Sequence, residues 1–434
     1  MEHKTRRAEI ARNCARNALR PIYKLPDEAL SEIFLLSASP MDGSPWGLPF
    51  LATCHHWRKC AIRCPRLWNI ISIHHCTELA LCLSRSASDP LHIRFQYQKD
   101  DGSPETIMAH FTAAYQTISS HNPRIHSLRV TGVPSIATVV PLGFPTNTLR
   151  ELCLQWSSAE HPASPLPIVD CDGSRNIRSL DLRGPTRNTV HLRNLQLESL
   201  TALTVNQAVT VGSVCEVLMS CHSLVDLRWL YVGDLSAPLE WAMVSFSMPK
   251  LEGLCMSGVV SVPFMKACDM PRLESLSITN PASPMQDVVT HLIRFKTITQ
   301  IELYSVPLPR DEVFVSVFQN MEKLTYFSCD TWTPSNLKSL RILNEHACHY
   351  IDGKRQLNCP LLESLIIDGV RLAWNQEPEL VEKTLRRHLE PLLQIRNAGY
   401  QRSLCVYLPN IDELDGLVDT DGIRFGVDYP LIWD

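Results

Sequence analysis

An internal repeat is the feature that most constrains how this chain folds. Three blocks align without gaps, and each carries Pro-x-Leu-Glu-x-Leu followed by two alternating apolar positions: MPKLEGLCMSGV (248–259), MPRLESLSITNP (270–281) and CPLLESLIIDGV (359–370). A looser L-x-x-L-x-L pattern recurs between residues 125 and 330. Apolar residues that alternate with polar ones are typical of half-buried strands. The repeat therefore predicts one short strand per copy, centred 22 to 28 residues apart on Leu128, Leu152, Leu180, Leu203, Leu227, Leu254, Leu276, Ile301 and Phe327.

Helical patterns lie between the predicted strands. The segments SVCEVLMSCHS (213–223) and MQDVVTHLIRF (285–295) place apolar residues at i, i+3 and i+4, as an amphipathic helix does. Strands that recur at this interval with a returning helix are typical of leucine-rich repeats. Such repeats stack into a solenoid whose strands form one parallel sheet on the concave side. We therefore predict an irregular leucine-rich-repeat solenoid.

The limits of the solenoid follow from the same patterns. The first predicted strand covers about residues 91–97, and regular repeats begin at about residue 124. SLCVYL (403–408) is the last predicted strand, and it follows a helix predicted near residues 377–397. The acidic tail after residue 408 would cover the open end, because a solenoid has to shield its terminal core from water.

A shorter helical pattern precedes the repeats. In PIYKLPDEALSEIF, Pro26 suits the first turn of a helix, and Leu30, Ile33 and Phe34 then form an apolar face. The loop SPMDGSPWG (39–47) follows, as its Pro, Gly and Ser content indicates.

A second helix is predicted from Phe50 to Cys64, since no Pro or Gly interrupts this stretch and Pro65 ends it. A unit of about 50 residues buries little apolar surface by itself. Docking on a partner would therefore stabilise it.

This N-terminal segment resembles an F-box, in the variant common in fungal F-box-like proteins. The matching parts stand in the family's order: LPDEALSEIF (25–34), then Cys54, Trp57 and Arg58, then PRLW (65–68). The loop between the two helices is longer than in the family's pattern. The resemblance implies a helical module that docks on a Skp-type adaptor, and through it on a cullin.

The resemblance also implies roles for individual residues. Leu25 and Pro26 match the dipeptide that contacts the adaptor in the family. The positions that it places in the module's own core are Ile33, Phe34, Trp57, Leu67 and Trp68.

The second predicted helix is rich in metal-ligating residue types. On a regular helix His56, Cys60 and Cys64 form a row about 12 Å long, at roughly 1.5 Å per residue, whereas zinc bonds are only about 2.0–2.3 Å long. One ion cannot bind all three, so further ligands would have to come from His74, His75 and Cys76. The alternative is a packed helix with thiols buried as small apolar groups. We predict that alternative, with no metal and no cofactor.

Charge is unevenly distributed along the chain. Residues 1–24 carry a net charge of +5, whereas the whole chain carries −4 and residues 410–434 carry −6. The N-terminal arm lacks the apolar core of a secretory signal. We predict a helical or disordered arm there, and a mitochondrial transit peptide is the alternative. An acidic body argues against nucleic acid as a partner.

Other sequence features narrow the class of protein. No apolar run approaches 18 residues, so no membrane association is expected. Sixteen cysteines without a C-x-x-C pair indicate reduced thiols in the cytoplasm or nucleus. The chain carries no G-x-S-x-G, P-loop, H-E-x-x-H or dinucleotide motif, so no catalytic activity of its own is predicted.

The concave face of the solenoid is the predicted target-binding surface. Alternate strand residues point away from the core, and they mix acids, bases and hydroxyls, which suits a protein or peptide. Tyr304 and Arg228 are favoured because aromatic residues and Arg are common in binding hot spots. The residues predicted to contact a target are Arg129, Asp181, Arg183, Arg228, Glu302, Tyr304, Asp330 and Asp368.

The fold class predicted is α/β, with a small helical module followed by the solenoid. The expected domains are the arm (1–20), the F-box-like module (21–73), the solenoid (74–408) and the acidic cap or tail (409–434). The function implied is substrate recognition within a cullin-RING ubiquitin ligase, with ligase activity residing in other chains. The alternative is a leucine-rich-repeat interaction scaffold that acts outside any ubiquitin ligase.

Overall fold

The structure of the chain is a computed structural model. Its fold is mixed α/β, with many strands in parallel sheets. The residues that it describes are 12–13, 15–17, 19–37, 49–73, 76–98, 101–133, 148–156, 168–170, 176–184, 191–193, 197–206, 211–230, 245–257, 261–279, 285–304, 320–329, 348–351, 354–357, 361–367, 405–408 and 423–425. The chain divides into two compact units, residues 1–197 and 198–434. The boundary therefore falls within the predicted repeat region, and the boundary expected after residue 73 stays a prediction.

The first unit begins with short helices. Residues 12–13 and 15–17 of the basic arm are helical. The helices that follow are a 3-10 turn at Pro21–Lys24, α1 at Asp27–Ser37, α2 at Pro49–Thr53, α3 at His55–Arg63 and a second 3-10 turn at Pro65–Trp68.

A parallel sheet occupies the rest of the first unit. The strands of this unit are β1 (Ile70–Ile73), β2 (Leu91–Gln96), β3 (Ile125–Val133), β4 (Glu151–Trp156), β5 (Ile168–Asp170), β6 (Ser179–Arg183) and β7 (His191–Arg193). The sheet has the order β1-β2-β3-β4-β6, and each neighbouring pair is parallel. The further helices of this unit are α4 (Cys76–Arg85), α5 (Pro104–Ser119) and a 3-10 turn at Asn122–Arg124. β5 and β7 form a separate parallel pair.

The second unit repeats the same design over more strands. Its strands are β8 (Ala202–Asn206), β9 (Asp226–Leu230), β10 (Phe246–Ser247), β11 (Gly253–Ser257), β12 (Cys268–Asp269), β13 (Ser275–Thr279), β14 (Gln300–Tyr304), β15 (Tyr326–Cys329), β16 (Cys348–Ile351), β17 (Lys354–Leu357), β18 (Ser364–Ile367), β19 (Cys405–Leu408) and β20 (Ile423–Phe425). The larger sheet is parallel, in the order β8-β9-β11-β13-β14-β15-β18-β19-β20. The helices of this unit are α6 (Val211–Ser220), α7 (Ser261–Ala267) and α8 (Met285–Leu292). β10 pairs with β12 in parallel, and β16 pairs with β17 antiparallel.

The Pro-x-Leu-Glu block forms a turn that starts a strand. In two copies the Leu N–H donates to the Met carbonyl three residues earlier, as Leu251 does to Met248 at 3.3 Å and Leu273 does to Met270 at 3.2 Å. Both leucines are fully buried. The carbonyl of Glu252 then accepts hydrogen bonds from two successive N–H groups of the next repeat. This shared geometry explains why the block recurs at the repeat interval.

The repeat leucines fill the core, as their alternation predicts. Leu152 pairs with Leu180 in the first unit, and Leu254 pairs with Leu276 in the second. Each of these side chains is at most 1% exposed. Leu365 is also buried, opposite Phe327. The parallel pairing and the shared core are therefore confirmed within each unit.

Other expectations have mixed outcomes. The two helices predicted between strands are confirmed as α6 and α8. The strand predicted at 403–408 is present as β19, but it is not the last strand, because β20 follows within the expected acidic tail and pairs with β19 in parallel. The strand expected at about 91–97 is present as β2, but it is not the first strand of the sheet, because β1 precedes it and pairs with it in parallel. A four-residue strand is too short to give a clear alternation in the sequence. The helix predicted near 377–397 lies outside the described residues.

Candidate functional site

The N-terminal module has a small aromatic core. Leu30 and Phe34 lie on the inner face of α1 and are buried. The Phe34 ring stacks on Phe50, with centroids 4.3 Å apart, and contacts the ring of Trp57 at 5.5 Å. These contacts place Phe34 and Trp57 together in the module, as the sequence predicts, although Trp57 is only half-buried.

The predicted second helix is broken into α2 and α3. Cys54 has an extended backbone, with φ −158° and ψ 169°, and its Sγ accepts a hydrogen bond from the Trp57 N–H at 3.5 Å. A side chain that accepts from a first-turn N–H caps a helix. Cys54 therefore ends α2 and starts α3, a role that no Pro or Gly in the sequence signals.

The other ligand-type residues of this stretch have packing roles. The Cys60 thiol donates to the Asp27 carbonyl oxygen at 3.2 Å, and burial raises its pKa. Cys64 is buried at the end of α3. His56 Nε2 lies 3.8 Å from Asp27 Oδ1. Within the described ranges no three His, Cys, Asp or Glu side chains come together as a metal-ion site, and His74 and His75 lie outside those ranges.

Leu67 and Trp68 close the module. Both side chains are buried, in agreement with the sequence prediction. The Trp68 Nε1–H donates to the Ala61 carbonyl oxygen at 2.9 Å, so the indole is anchored to the end of α3. A buried indole N–H normally requires such an acceptor.

The outer face of α1 presents apolar side chains to solvent. Pro26 is exposed, Ile33 is 38% exposed and Leu36 is 88% exposed. At spacings of seven and three residues these positions lie on one side of the helix. Ile22, in the preceding 3-10 turn, is also exposed. We call Ile22, Pro26, Ile33 and Leu36 the α1 apolar surface.

The α1 apolar surface corrects one prediction and extends another. Ile33 was expected in the module's core, but its exposure contradicts this, because Leu30 and Phe34 already occupy the inner face of the helix. Of the predicted adaptor-contacting pair, Pro26 is exposed and Leu25 is half-buried. Leu36 is a candidate contact that sequence reasoning missed. The spacing of apolar residues gives no signal for it, because Ile33, Phe34, Leu35 and Leu36 are consecutive.

In the first unit, charged residues line up across the sheet on the face opposite the core. Arg94 of β2 pairs in register with Arg129 of β3, and Arg129 pairs with Cys153 of β4. Cys153 in turn pairs with Asp181 of β6. Arg129 is exposed and Arg94 is half-buried. Two predicted contact residues, Arg129 and Asp181, thus share one row, and Arg94 is a member that sequence reasoning missed.

Asp181 is held by two neighbours. Its Oδ1 accepts from Arg183 Nε at 2.9 Å, and its Oδ2 accepts from the Cys153 thiol at 3.6 Å. Burial raises the pKa of Cys153 to about 12, and the negative charge of Asp181 acts in the same direction. A thiol of such high pKa is a poor nucleophile at neutral pH. Cys153 therefore does not supply a reactive thiolate to this row.

The second unit carries a similar polar row. Thr204, Arg228, Cys255, Ser277 and Glu302 are successive partners across its sheet, and Ser328 follows.

Arg228, the second member of this row, lies beside a carboxylate of its own strand. Arg228 Nε lies 3.7 Å from Asp226 Oδ2. Burial raises the pKa of Asp226, and the positive charge of Arg228 opposes that shift. The predicted contact Arg228 is therefore half-buried and lies beside a carboxylate.

Glu302 does not lie on an open surface, contrary to the sequence prediction. Its residue surface is only 3% exposed, and its row neighbours Ser277 and Ser328 are buried as well. Tyr326 lies diagonally opposite on the next strand; burial raises its pKa to about 12, and Glu302 acts in the same direction. Tyr304, on the same strand as Glu302, is half-buried.

Two predicted target-binding residues, Asp330 and Asp368, lie outside the described residues. None of the described helices is both long enough and apolar enough to cross a membrane.

Comparison with known proteins does not identify the chain. No protein-family model matches the sequence, and none of the curated proteins matches it.

Proposed function

We propose that this protein is a substrate-recognition subunit of a cullin-RING ubiquitin ligase, present in the cytoplasm or nucleus. In this proposal the N-terminal module is an F-box that docks on a Skp-type adaptor. The repeats form a leucine-rich-repeat solenoid that binds a target protein. Catalysis belongs to other chains, and this subunit contributes by holding the target near them.

The α1 apolar surface is the observation that carries the proposal. A small module with a packed inner face and exposed Ile22, Ile33 and Leu36 on its outer face has apolar area to bury. Exposed apolar patches mark sites of protein interaction. Pro26, which the F-box resemblance assigns to the adaptor contact, lies on the same side of α1.

The polar rows of the two sheets support the target-binding part of the proposal. They present Arg and Tyr side chains, which are frequent in binding hot spots. Arg129 and Arg183 are exposed in the first unit, and Arg228 and Tyr304 are partly accessible in the second.

The adaptor interaction is tested with a Leu36→Ser, Ile33→Ser double variant of the full chain. Binding to an immobilised Skp-type adaptor is measured by surface plasmon resonance. Burial of one Leu side chain contributes roughly 1.5–3 kcal/mol, and 1.4 kcal/mol is about tenfold in affinity. The double variant should therefore bind about one to two orders of magnitude more weakly than wild type. Leu25→Ala with Pro26→Ala should weaken binding in the same direction.

The matched control is Met219→Ser in α6. Met219 is 45% exposed, so this variant also replaces an exposed apolar side chain. It should bind the adaptor as wild type does. If the Leu36→Ser, Ile33→Ser variant binds as tightly as wild type, or wild type does not bind the adaptor, the ligase proposal fails. The remaining function would then be a repeat scaffold outside any ubiquitin ligase.

A further inference from the structure

We propose that residues 12–24, which we call the cationic segment, form an interaction surface for an acidic peptide segment of a partner protein. This surface shares no residue with the polar rows of the two sheets. The binding assay below contains no adaptor, so its outcome is separate from that of the adaptor experiment. The side chains that would contact carboxylates are Arg12, Arg16, Arg20 and Lys24.

The cationic segment carries charge of one sign at a regular spacing. Its four cations recur every four residues, and it contains no Asp or Glu. All four cations are exposed. Among the residues that the structure describes, none of the four takes part in an ion pair. Their charges are therefore accessible to a ligand and are not offset within the segment.

The backbone of the cationic segment is ordered and joined to the N-terminal module. Residues 12–13 and 15–17 are helical, and a 3-10 turn follows. The Tyr23 N–H donates to the Arg20 carbonyl oxygen at 3.0 Å. The Tyr23 ring lies 4.7 Å from the ring of His56 in α3, measured between centroids. A surface that is ordered before binding loses less conformational freedom when a ligand binds.

Carboxylates near the cationic segment in sequence do not cancel its charge. Glu9 precedes it, and Asp27 and Glu28 follow it. Residues 1–28, which include all of these acids, still carry a net charge of +3. The next acid, Glu32, is already paired with Arg66 at 2.9 Å. This end of the chain therefore attracts a ligand that carries carboxylates.

A short protein segment fits this surface better than a nucleic acid or an anionic lipid surface does. Residues 25–434 carry a net charge of −9, so an extended polyanion that reaches beyond the cationic segment meets unfavourable charge. A short acidic peptide can contact the cationic segment alone. Leu19 lies between the cations and is 81% exposed, so it offers an apolar contact of the kind that protein interfaces use.

The test uses the full chain and a fluorescein-labelled peptide that repeats Glu-Glu-Leu-Ser. A peptide that repeats Gln-Gln-Leu-Ser has the same apolar content without the charge and is the control. Fluorescence anisotropy reports binding. Wild type should bind the Glu peptide at least about tenfold more tightly than the Gln peptide, the combined effect of several exposed ion pairs. Added salt should reduce this preference, because it screens exposed charges.

Two variants of equal net charge locate the site. The first replaces the four cations of the cationic segment with Gln and should bind the two peptides equally. The second replaces four exposed cations outside the cationic segment and should bind the Glu peptide about as tightly as wild type. The substitutions of this control variant are Arg150→Gln, Lys250→Gln, Arg272→Gln and Lys323→Gln.

A smaller variant keeps the 3-10 turn unchanged. Arg12→Gln with Arg16→Gln removes only the two cations of the helical part, and it should weaken binding of the Glu peptide about threefold. Thermal unfolding of every variant should match wild type, because all the replaced side chains are exposed.

Several results would overturn the proposal. They are equal binding of the two peptides by wild type, equal weakening by the two variants of equal net charge, and a preference for the Glu peptide that survives loss of all four cations. Tighter binding of anionic phospholipid vesicles or of a single-stranded oligonucleotide than of the Glu peptide would also overturn it, because either would assign the cationic segment to a different ligand.

Discussion

The guanidinium carbon of Arg85 lies 4.3 Å from the centroid of the Trp68 ring. Arg85 is the last residue of α4, and Trp68 is the buried residue that closes the N-terminal module. This cation–π contact therefore links the module to the first helix of the α/β layer. Replacing Arg85 removes this contact and leaves the buried Trp68 side chain in place.

Arg85→Met should lower the free energy of unfolding of the first unit by about 0.5–2 kcal/mol, the range of a cation–π contact. Met retains most of the apolar stem, so the loss reports on the cation. Arg150→Met makes the same replacement at an exposed arginine of this unit and should stay within about 0.5 kcal/mol of wild type. Urea unfolding followed by tryptophan fluorescence measures both. Equal effects of the two variants would contradict a specific contact.

Phe34 and Ile33 are neighbours in sequence with opposite environments, so their alanine variants should differ. Phe34→Ala removes a ring stacked on Phe50 and should cost about 3–5 kcal/mol. Ile33→Ala removes a side chain that is 38% exposed and should cost about 1 kcal/mol or less. Urea unfolding of the two variants gives the comparison. Similar losses would show that Ile33 packs in the core after all.

Gly132→Ala should destabilise the first unit by at least about 3 kcal/mol. Gly132 has φ +78°, and an added Cβ would overlap the backbone carbonyl of Tyr97. Both backbone strain and overlap therefore oppose the change. Gly102→Ala is the matched control, because Gly102 also has positive φ but its added Cβ would meet only Thr106, at 3.5 Å. Differential scanning calorimetry should give the larger loss for Gly132→Ala, and equal losses would rule out the overlap.

His92 should make the first unit less stable in mild acid. Burial lowers the pKa of His92 from 6.5; His126 and Arg94 act in the same direction, and Glu151 opposes them. The unfolded chain then binds the proton more readily than the folded chain. This contribution to stability is therefore present above pH 6.5 and is lost as the pH falls from there through the lowered pKa.

The pH dependence of Tm for wild type and His92→Asn checks this assignment. The variant should lose part of the decline in Tm below pH 6.5. Burial also lowers the pKa of His291, in the second unit, so His92→Asn with His291→Asn should lose more of the decline than either single variant. An unchanged decline in His92→Asn would show that its titration is not coupled to folding.

The sheet strands could be predicted from the sequence, whereas the exposed face of α1 could not. Leucines such as Leu152 and Leu254 alternate with polar residues, and this alternation fixes which side of a strand is buried. In α1, by contrast, Ile33, Phe34, Leu35 and Leu36 are consecutive apolar residues, so periodicity alone does not separate the inner from the outer face.

Two further features of the structure differ from the sequence predictions for local physical reasons. The break between α2 and α3 depends on a thiol cap at Cys54, and thiols are not among the preferred capping groups. The burial of Glu302 depends on residues of neighbouring strands, including Tyr326, which lies diagonally opposite. The register that places Arg94 beside Arg129 could have been found by aligning Ile93 with Leu128, the central apolar positions of their strands.

Only Asn69 separates the 3-10 turn that closes the N-terminal module from strand β1. Its carbonyl oxygen accepts a hydrogen bond from the His92 N–H at 2.8 Å, so even this residue is tied to β2. A partner bound to α1 would consequently not move on a tether. Its position relative to the sheet would be set by packing within one compact unit, and lengthening the chain at Asn69 would convert that position into a broad distribution.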